Sequence, residues 1–167
     1  MIETVIETER LLLRRPTEAD VESPPGWLSD PEVMNWLGGI EPPAEVVRLW
    51  LDQWEIFPSG KFLVERRSDR AVVGRVGANY YDVRSWQRSA AGEPELGWAL
   101  GHEHWGHGYA TEAALAFREW LGAPRVVSLI TAENLRSQQV AQRLGACPEQ
   151  TVELPGYGPH VLWVHPR

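Results

Sequence analysis

The sequence predicts an α+β fold, a mixed sheet carrying helices on its faces, and three observations lead there. Hydrophobic spacing reads as β, α, α, α, β, β, β, α, β, α, β, β along the chain. The period changes from helical to β-branched and aromatic runs in the middle of the chain. No repeat, low-complexity tract or domain-scale linker interrupts the 167 residues, so residues 1–167 are expected to form one domain.

Each element has its own signal. Glu9 to Arg15 reads as a strand that stops at Pro16, and Thr17 then supplies a helix N-cap with Asp20 at the third helical position. Pro24, Pro25 and Gly26 end that helix, and Asp30 to Leu37 forms a second helical piece with proline in its first turn. Beyond Pro42 and Pro43, Val46, Leu49, Trp50 and Trp54 recur at helical spacing. Lys61–Arg66 and Ala71–Tyr81 read as strands around a turn at residues 67–70. Ser85 to Pro94 is polar and loop-like, and Glu95–Leu100 forms the next strand. A helix opens after Gly108, with Phe117, Trp120 and Leu121 on its buried stripe, and Gly122 and Pro124 stop it. Arg125 to Thr131 is a strand, Asn134 caps a helix that ends at Leu144, and residues 151–154 and 160–165 make a last hairpin.

Composition narrows the function classes. A net charge of -7 argues against a general nucleic-acid binder and suits cationic substrates such as amines. No run approaches the roughly 18 apolar residues of a membrane span, and the first ten residues lack a signal-peptide profile. The single cysteine, Cys147, fits a reducing compartment, so a cytoplasmic protein is expected. Nine tryptophans supply core and, for some, a pocket wall.

The segment Trp105-Gly106-His107-Gly108-Tyr109-Ala110-Thr111-Glu112 joins a glycine-rich turn to a helix start. Glycines let a backbone approach a ligand closely, and the first helical amides have no internal partners. With the helix dipole they form an anion site suited to phosphate. The same pattern also serves as simple turn chemistry.

Four local patterns in register then resemble the GNAT superfamily of N-acetyltransferases, particularly its RimJ/RimL-like branch. They are Glu7–Arg14, Asp30-Pro31-Glu32-Val33, Glu95–Leu100 with Trp105–Ala114, and Asn134-x-x-Ser137 leading to Leu144-Gly145. The resemblance implies a mostly antiparallel central sheet flanked by helices, and acetyl-CoA as co-substrate. Its signature, Gln/Arg-x-x-Gly-x-Gly/Ala, maps to Trp105, Gly106, His107, Gly108, Tyr109 and Ala110, whose amides, with Thr111, would bind the pyrophosphate. Tryptophan replaces the first residue, as is common in that branch. Trp98, Ala99 and Leu100 would offer backbone groups to the pantetheine arm, where Glu95–Leu100 splays from Arg125–Thr131; an ordinary core strand reads equally well.

The reaction implied is direct attack of a primary amine on the thioester, which needs a base to remove a proton. Glu95 matches an acidic position used in parts of the superfamily, and burial beside Trp98 would raise its pKa; a surface carboxylate at a strand start is the alternative. Ser137 matches a serine near the sulfur, whereas the tyrosine that many members use is replaced by Ala141. Asn134 would hold the cofactor arm, cap its helix, or both. By the resemblance, Trp27, Trp36, Tyr80 and Tyr157 are nominated for the substrate walls, with a place in the core as the alternative for most of them. A protein or peptide α-amine, a polyamine and an amine antibiotic remain open as acceptors, with no nucleic acid or membrane partner and a monomer or homodimer expected. Two further readings stand beside this one: a non-catalytic acyl-CoA binder, and a metal site built from His102, His104 and His107.

Overall fold

The computed structural model describes residues 4–39 and 41–167. The first three residues of the opening segment read above, and Ile40, lie outside them. One expected N-terminal strand is two: β1 (Val5–Glu7) runs antiparallel to β2 (Leu11–Arg14), with Ile6 opposite Leu13. Thr8 closes the turn between them, its backbone amide donating to the Leu11 carbonyl at 2.9 Å and its hydroxyl accepting from the Leu11 amide at 3.0 Å. Strand β2 ends before Pro16, whose ring disfavours helical backbone at the preceding residue.

Helix α1 (Glu18–Glu22) opens as expected on Thr17, whose amide and hydroxyl both donate to the Asp20 carboxylate, at 2.7 and 2.8 Å. Asp30 caps α2 (Pro31–Met34) by accepting from the Glu32 amide at 2.9 Å. Helix α3 (Pro43–Ile56) buries Val47, Trp50 and Gln53. Leu49, expected on that stripe, is 58% exposed because its neighbours Val47 and Trp50 already face the sheet.

The remaining strands are β3 (Lys61–Arg66), β4 (Val72–Asp82), β5 (Gln87–Arg88), β6 (Glu93–Leu100), β7 (Val127–Ile130), β8 (Cys147–Leu154) and β9 (Gly158–Val164). The stretch expected as a loop before Glu95 therefore contains β5 and the start of β6, so Glu95 lies inside its strand. The last hairpin is also longer than its apolar pattern suggested. Helices α4 (Tyr109–Leu121) and α5 (Leu135–Arg143) complete the chain.

The nine strands form a mixed, mostly antiparallel sheet of order β1-β2-β3-β4-β6-β7-β9-β8, with β5 on β4. On one face α4 and α5 cover Leu11, Phe62, Val76 and Leu96. Phe62 and Phe117, both fully buried, meet edge to face at 5.9 Å; truncating either to alanine costs about 3–5 kcal/mol. Trp120 packs on that pair but keeps an exposed edge. The opposite face is covered by the N-terminal helices through Trp27, Leu28, Met34, Val47 and Trp50. No described helix is long and apolar enough to cross a membrane.

One seam in this sheet differs from the others. Strands β6 and β7 are parallel and share a single register pair, Glu95 with Val127, after which they part. Side chains take over where the ladder stops. Glu95 Oε1 accepts from the Leu129 amide at 3.3 Å, and Ser128 Oγ donates to the Leu96 carbonyl at 2.6 Å. Ser128 has spent its proton on Leu96, so His165 Nε2, 2.8 Å away, donates to it. Burial, then the neighbouring Arg118 guanidinium, pushes the His165 pKa down to about 4 and keeps this ring neutral.

Candidate active site

The turn before α4 has the geometry of an anion cradle. Gly106 and Gly108 both sit at φ +80°, a region that L side chains rarely adopt. The first helical i→i−4 bond runs from the Glu112 amide to the Gly108 carbonyl at 3.1 Å, leaving the amides of Tyr109, Ala110 and Thr111 ahead of it. Thr111 Oγ1, in the same turn, is buried without a hydrogen-bond partner among the described residues.

The opening residues of the chain hold this turn in place. Glu112 Oε1 accepts from the Thr8 hydroxyl at 2.6 Å and from the Arg10 amide at 2.9 Å. Arg10 bonds Glu112 at 2.7 Å, donates to the His107 carbonyl at 2.9 Å and lies 4.7 Å from the Tyr109 ring centroid. These bonds hold the Glu112 carboxyl below its ordinary range against the opposing effect of burial. Trp105, expected at the pyrophosphate, spends its indole N–H on the Leu100 carbonyl at 3.0 Å, and its ring carries the Arg136 guanidinium at 3.5 Å. Its side chain pins the turn to the end of β6 and presents a cation at the edge of the cleft.

Where β6 and β7 part, two cavities open and share walls. The smaller, about 90 Å³, is lined by Trp98, Ala99, Leu100, Trp105, Ala110, Asn134 and Ser137. The larger, about 470 Å³, is lined by Glu95, Trp98, Asn134 and Ser137 and reaches Arg75, Tyr81, Arg88, Tyr157 and His160. Asn134 Oδ1 accepts from the Ser137 amide at 3.1 Å, which caps α5 and fixes Ser137 where the cavities meet. The cleft thus runs from Ala110 at the cradle, past Ser137, to Glu95.

Glu95 is buried inside a polar network drawn from three strands. Its Oε2 accepts from Asn79 Nδ2 at 3.1 Å, and Asn79 Oδ1 accepts from Lys61 Nζ at 2.7 Å. Burial, then the nearby Arg75 guanidinium, pushes the Lys61 pKa well below its usual value. Arg75 lies beside Glu95 on the same sheet face and is pushed down to about 10 by burial. The available signals were the chain's only lysine opening an apolar strand and the polar pair Arg75 and Asn79 at i and i+4 in β4.

The other nominated residues separate. Trp36 and Tyr157, both largely exposed, line the larger cavity. Trp27 lies in the core instead, its indole donating to the Val72 carbonyl at 3.2 Å. Tyr80 is also core: its hydroxyl is 2.8 Å from Ser59 Oγ and its ring stacks on Phe57. The next residue, Tyr81, faces the cavity, because neighbouring strand residues point to opposite faces. Ala141 is buried among Ile130, Ala146 and Trp163.

The histidine run does not converge. His102 packs tilted against Trp105 with ring centroids 4.3 Å apart, His104 lies 3.5 Å from Glu103, and His107 stacks on Tyr109 at 5.5 Å. Among the described residues no group of three or more His, Cys, Asp or Glu side chains is gathered for a metal ion.

A backbone anion cradle at the mouth of a splayed mixed sheet is a site suited to a phosphate-bearing ligand. The profile of the acetyltransferase (GNAT) domain matches residues 10–146, and the chain belongs to that family. It is similar to an acetyltransferase of Agrobacterium tumefaciens, at 26% identity and a TM-score of 0.80 over 100% of this chain and 96% of that one. It is also 24% identical to the uncharacterized N-acetyltransferase YoaA of Bacillus subtilis, over 84% of this chain and 81% of the relative. A further solved structure, the ribosomal L7/L12 alpha-N-protein acetyltransferase RimL in complex with coenzyme A, shares the fold. Its TM-score is 0.77 at 14% identity, over 97% of each chain.

Proposed function

We propose that this chain is an acetyl-CoA-dependent N-acetyltransferase of the RimJ/RimL-like branch, acting on a primary amine. The observation that carries this reading is the continuous cleft in which a backbone anion cradle, Ser137 and the buried Glu95 lie in sequence. The cradle at residues 106–111 would hold the pyrophosphate, and the cleft walls Trp98, Ala99, Leu100 and Asn134 the pantetheine arm. The co-substrate supplies a thioester carbonyl, which the amine attacks directly.

An ammonium cannot attack, so Glu95 accepts its proton, held for that task by Asn79 and the Leu129 amide. Ser137 offers its hydroxyl to the departing sulfur, since Ala141 has none to give. Trp36 and Tyr157 flank the acceptor. A cytoplasmic setting suits the exposed free Cys147. The buried Ala141 also favours a second reading, an acyl-CoA binder without turnover.

Thermal denaturation and a thiol-release assay test both readings. Acetyl-CoA at a hundredfold its Kd stabilises by about 2.7 kcal/mol, a rise in Tm of roughly 5–10 °C for a chain of this size. No rise at millimolar ligand refutes both readings. A rise with no thiol release across a broad amine panel leaves only the binder.

A further inference from the structure

Arg75 has no part in the chemistry proposed above, yet it occupies the acceptor end of the cleft. Strand register brings it there. Asn79 opposes Glu95 and Gly77 opposes Gly97, so two facing glycines leave the sheet bare between Arg75 and the carboxylate. A Cβ on Gly97 would stand 3.1 Å from Arg75 Nη1 and 3.8 Å from Glu95 Oε1. The guanidinium therefore lies across Gly97, next to Glu95, and both line the 470 Å³ cavity. Arg75 Nε is buried without a hydrogen-bond partner, and among the described residues Arg75 enters no ion pair.

The charge balance of this cavity runs opposite to that of the protein. In a chain of net charge -7, its acceptor end presents two guanidiniums, Arg75 and Arg88, against one carboxylate, Glu95. Arg88 is held over the rings of Phe57 and Tyr81, at 5.0 and 5.5 Å. A purely cationic acceptor such as a polyamine would meet repulsion here. A half-buried guanidinium with unused donors is satisfied best by a planar anion that accepts two hydrogen bonds.

We propose that the acceptor is a zwitterion of the amino-acid class, its amine meeting Glu95 and its own carboxylate pairing with Arg75. This inference rests on the acetyltransfer reading for which amine is used, and not for the anion site itself. Arg75 is thus a specificity residue, outside the proton transfer.

The test compares amino acids of apolar, acidic and basic side chain, each with its carboxamide and its decarboxylated amine. Binding is measured to the CoA-saturated protein and to the protein alone, and kcat/KM by thiol release. The expected result is a preference of about tenfold or more for the free carboxylate. Arg75→Met removes that preference, Arg75→Lys keeps part of it, and both leave the acetyl-CoA shift in Tm unchanged, which also shows that they fold. Equal affinity for acid, amide and amine in every set overturns the proposal, as does an Arg75→Met variant that keeps the preference. A better response to ethanolamine phosphate than to every amino acid overturns the carboxylate in favour of phosphate. If acetyl-CoA neither binds nor turns over, the acetyltransfer reading falls, and binding to the protein alone still decides the anion site.

Discussion

At the α4 end of the cleft, the groups proposed to face a ligand belong to the backbone. Gly106 and Gly108 turn the chain through positive φ, and the first amides of the helix point outward. At the β4 end they are side chains: Arg75, Asn79 and Glu95 line the cavity with Lys61 buried behind them, and the four come from three strands and meet around Gly77 and Gly97. The two ends should therefore fail differently. A backbone site tolerates most side-chain changes but not a Cβ at its turning glycine. A side-chain site depends on every charge and on the register that brings the charges together.

The largest expected effect falls at the side-chain end. Glu95→Gln keeps an acceptor for the Leu129 amide but removes the proposed base, and should lower kcat by about 10²–10⁴. Cofactor affinity, read from the acetyl-CoA shift in Tm, should stay within about twofold, because the cradle does not involve this carboxylate. Equal loss of both would erase the division between the ends; unchanged turnover would remove Glu95 as base.

The seam between the ends gives the next effect. The unfolded chain titrates at its histidine near pH 6.5, whereas folded His165 titrates at about 4. Between those values the unfolded state binds more protons, so acidification destabilises the fold and the loss is complete below about pH 4. It amounts to roughly 3 kcal/mol. Above pH 7 His165 contributes no slope. Denaturation of wild type and His165→Gln between pH 7.5 and 4 measures the difference, and parallel curves would disprove the assignment.

Gly108→Ala comes third. Forcing an L side chain into the left-handed region costs about 1–2 kcal/mol, relieved by tilting the amides away from their ligand. Acetyl-CoA affinity should fall about tenfold by calorimetry while the fold survives. The smallest effect sharpens the contrast most: His107→Ala should change cofactor affinity by less than about threefold, since the Arg10 bond uses its carbonyl and not its ring. A larger loss than that of Gly108→Ala would make the cradle a side-chain site.

The same division explains what could be read from the chain alone. The cradle was legible because its glycines, helix start and preceding strand lie within twenty residues and state their conformation locally. Asn134 and Asp20 were legible for the same reason. The Lys61–Asn79–Glu95 network and Arg75 were not, because strand register is long-range and no local pattern shows what a polar residue will oppose. Tyr80 and Tyr81 make the point in miniature: both are apolar-aromatic, and one residue of strand parity decides which enters the core and which the cavity. Strand β1 was missed because three residues carry too little alternation, and Trp27 because a core indole and a pocket indole look alike in sequence.

The single register pair between β6 and β7 has a dynamic consequence. Hydrogen-bonded ladders make neighbouring strands open together, and one rung with two side-chain stitches couples its neighbours weakly. The β7–β9–β8 block should thus exchange its amide hydrogens as a cooperative unit separate from β1 to β6. A molecule lying along the cleft would span both blocks and slow that exchange, standing in for the rungs that the sheet gives up.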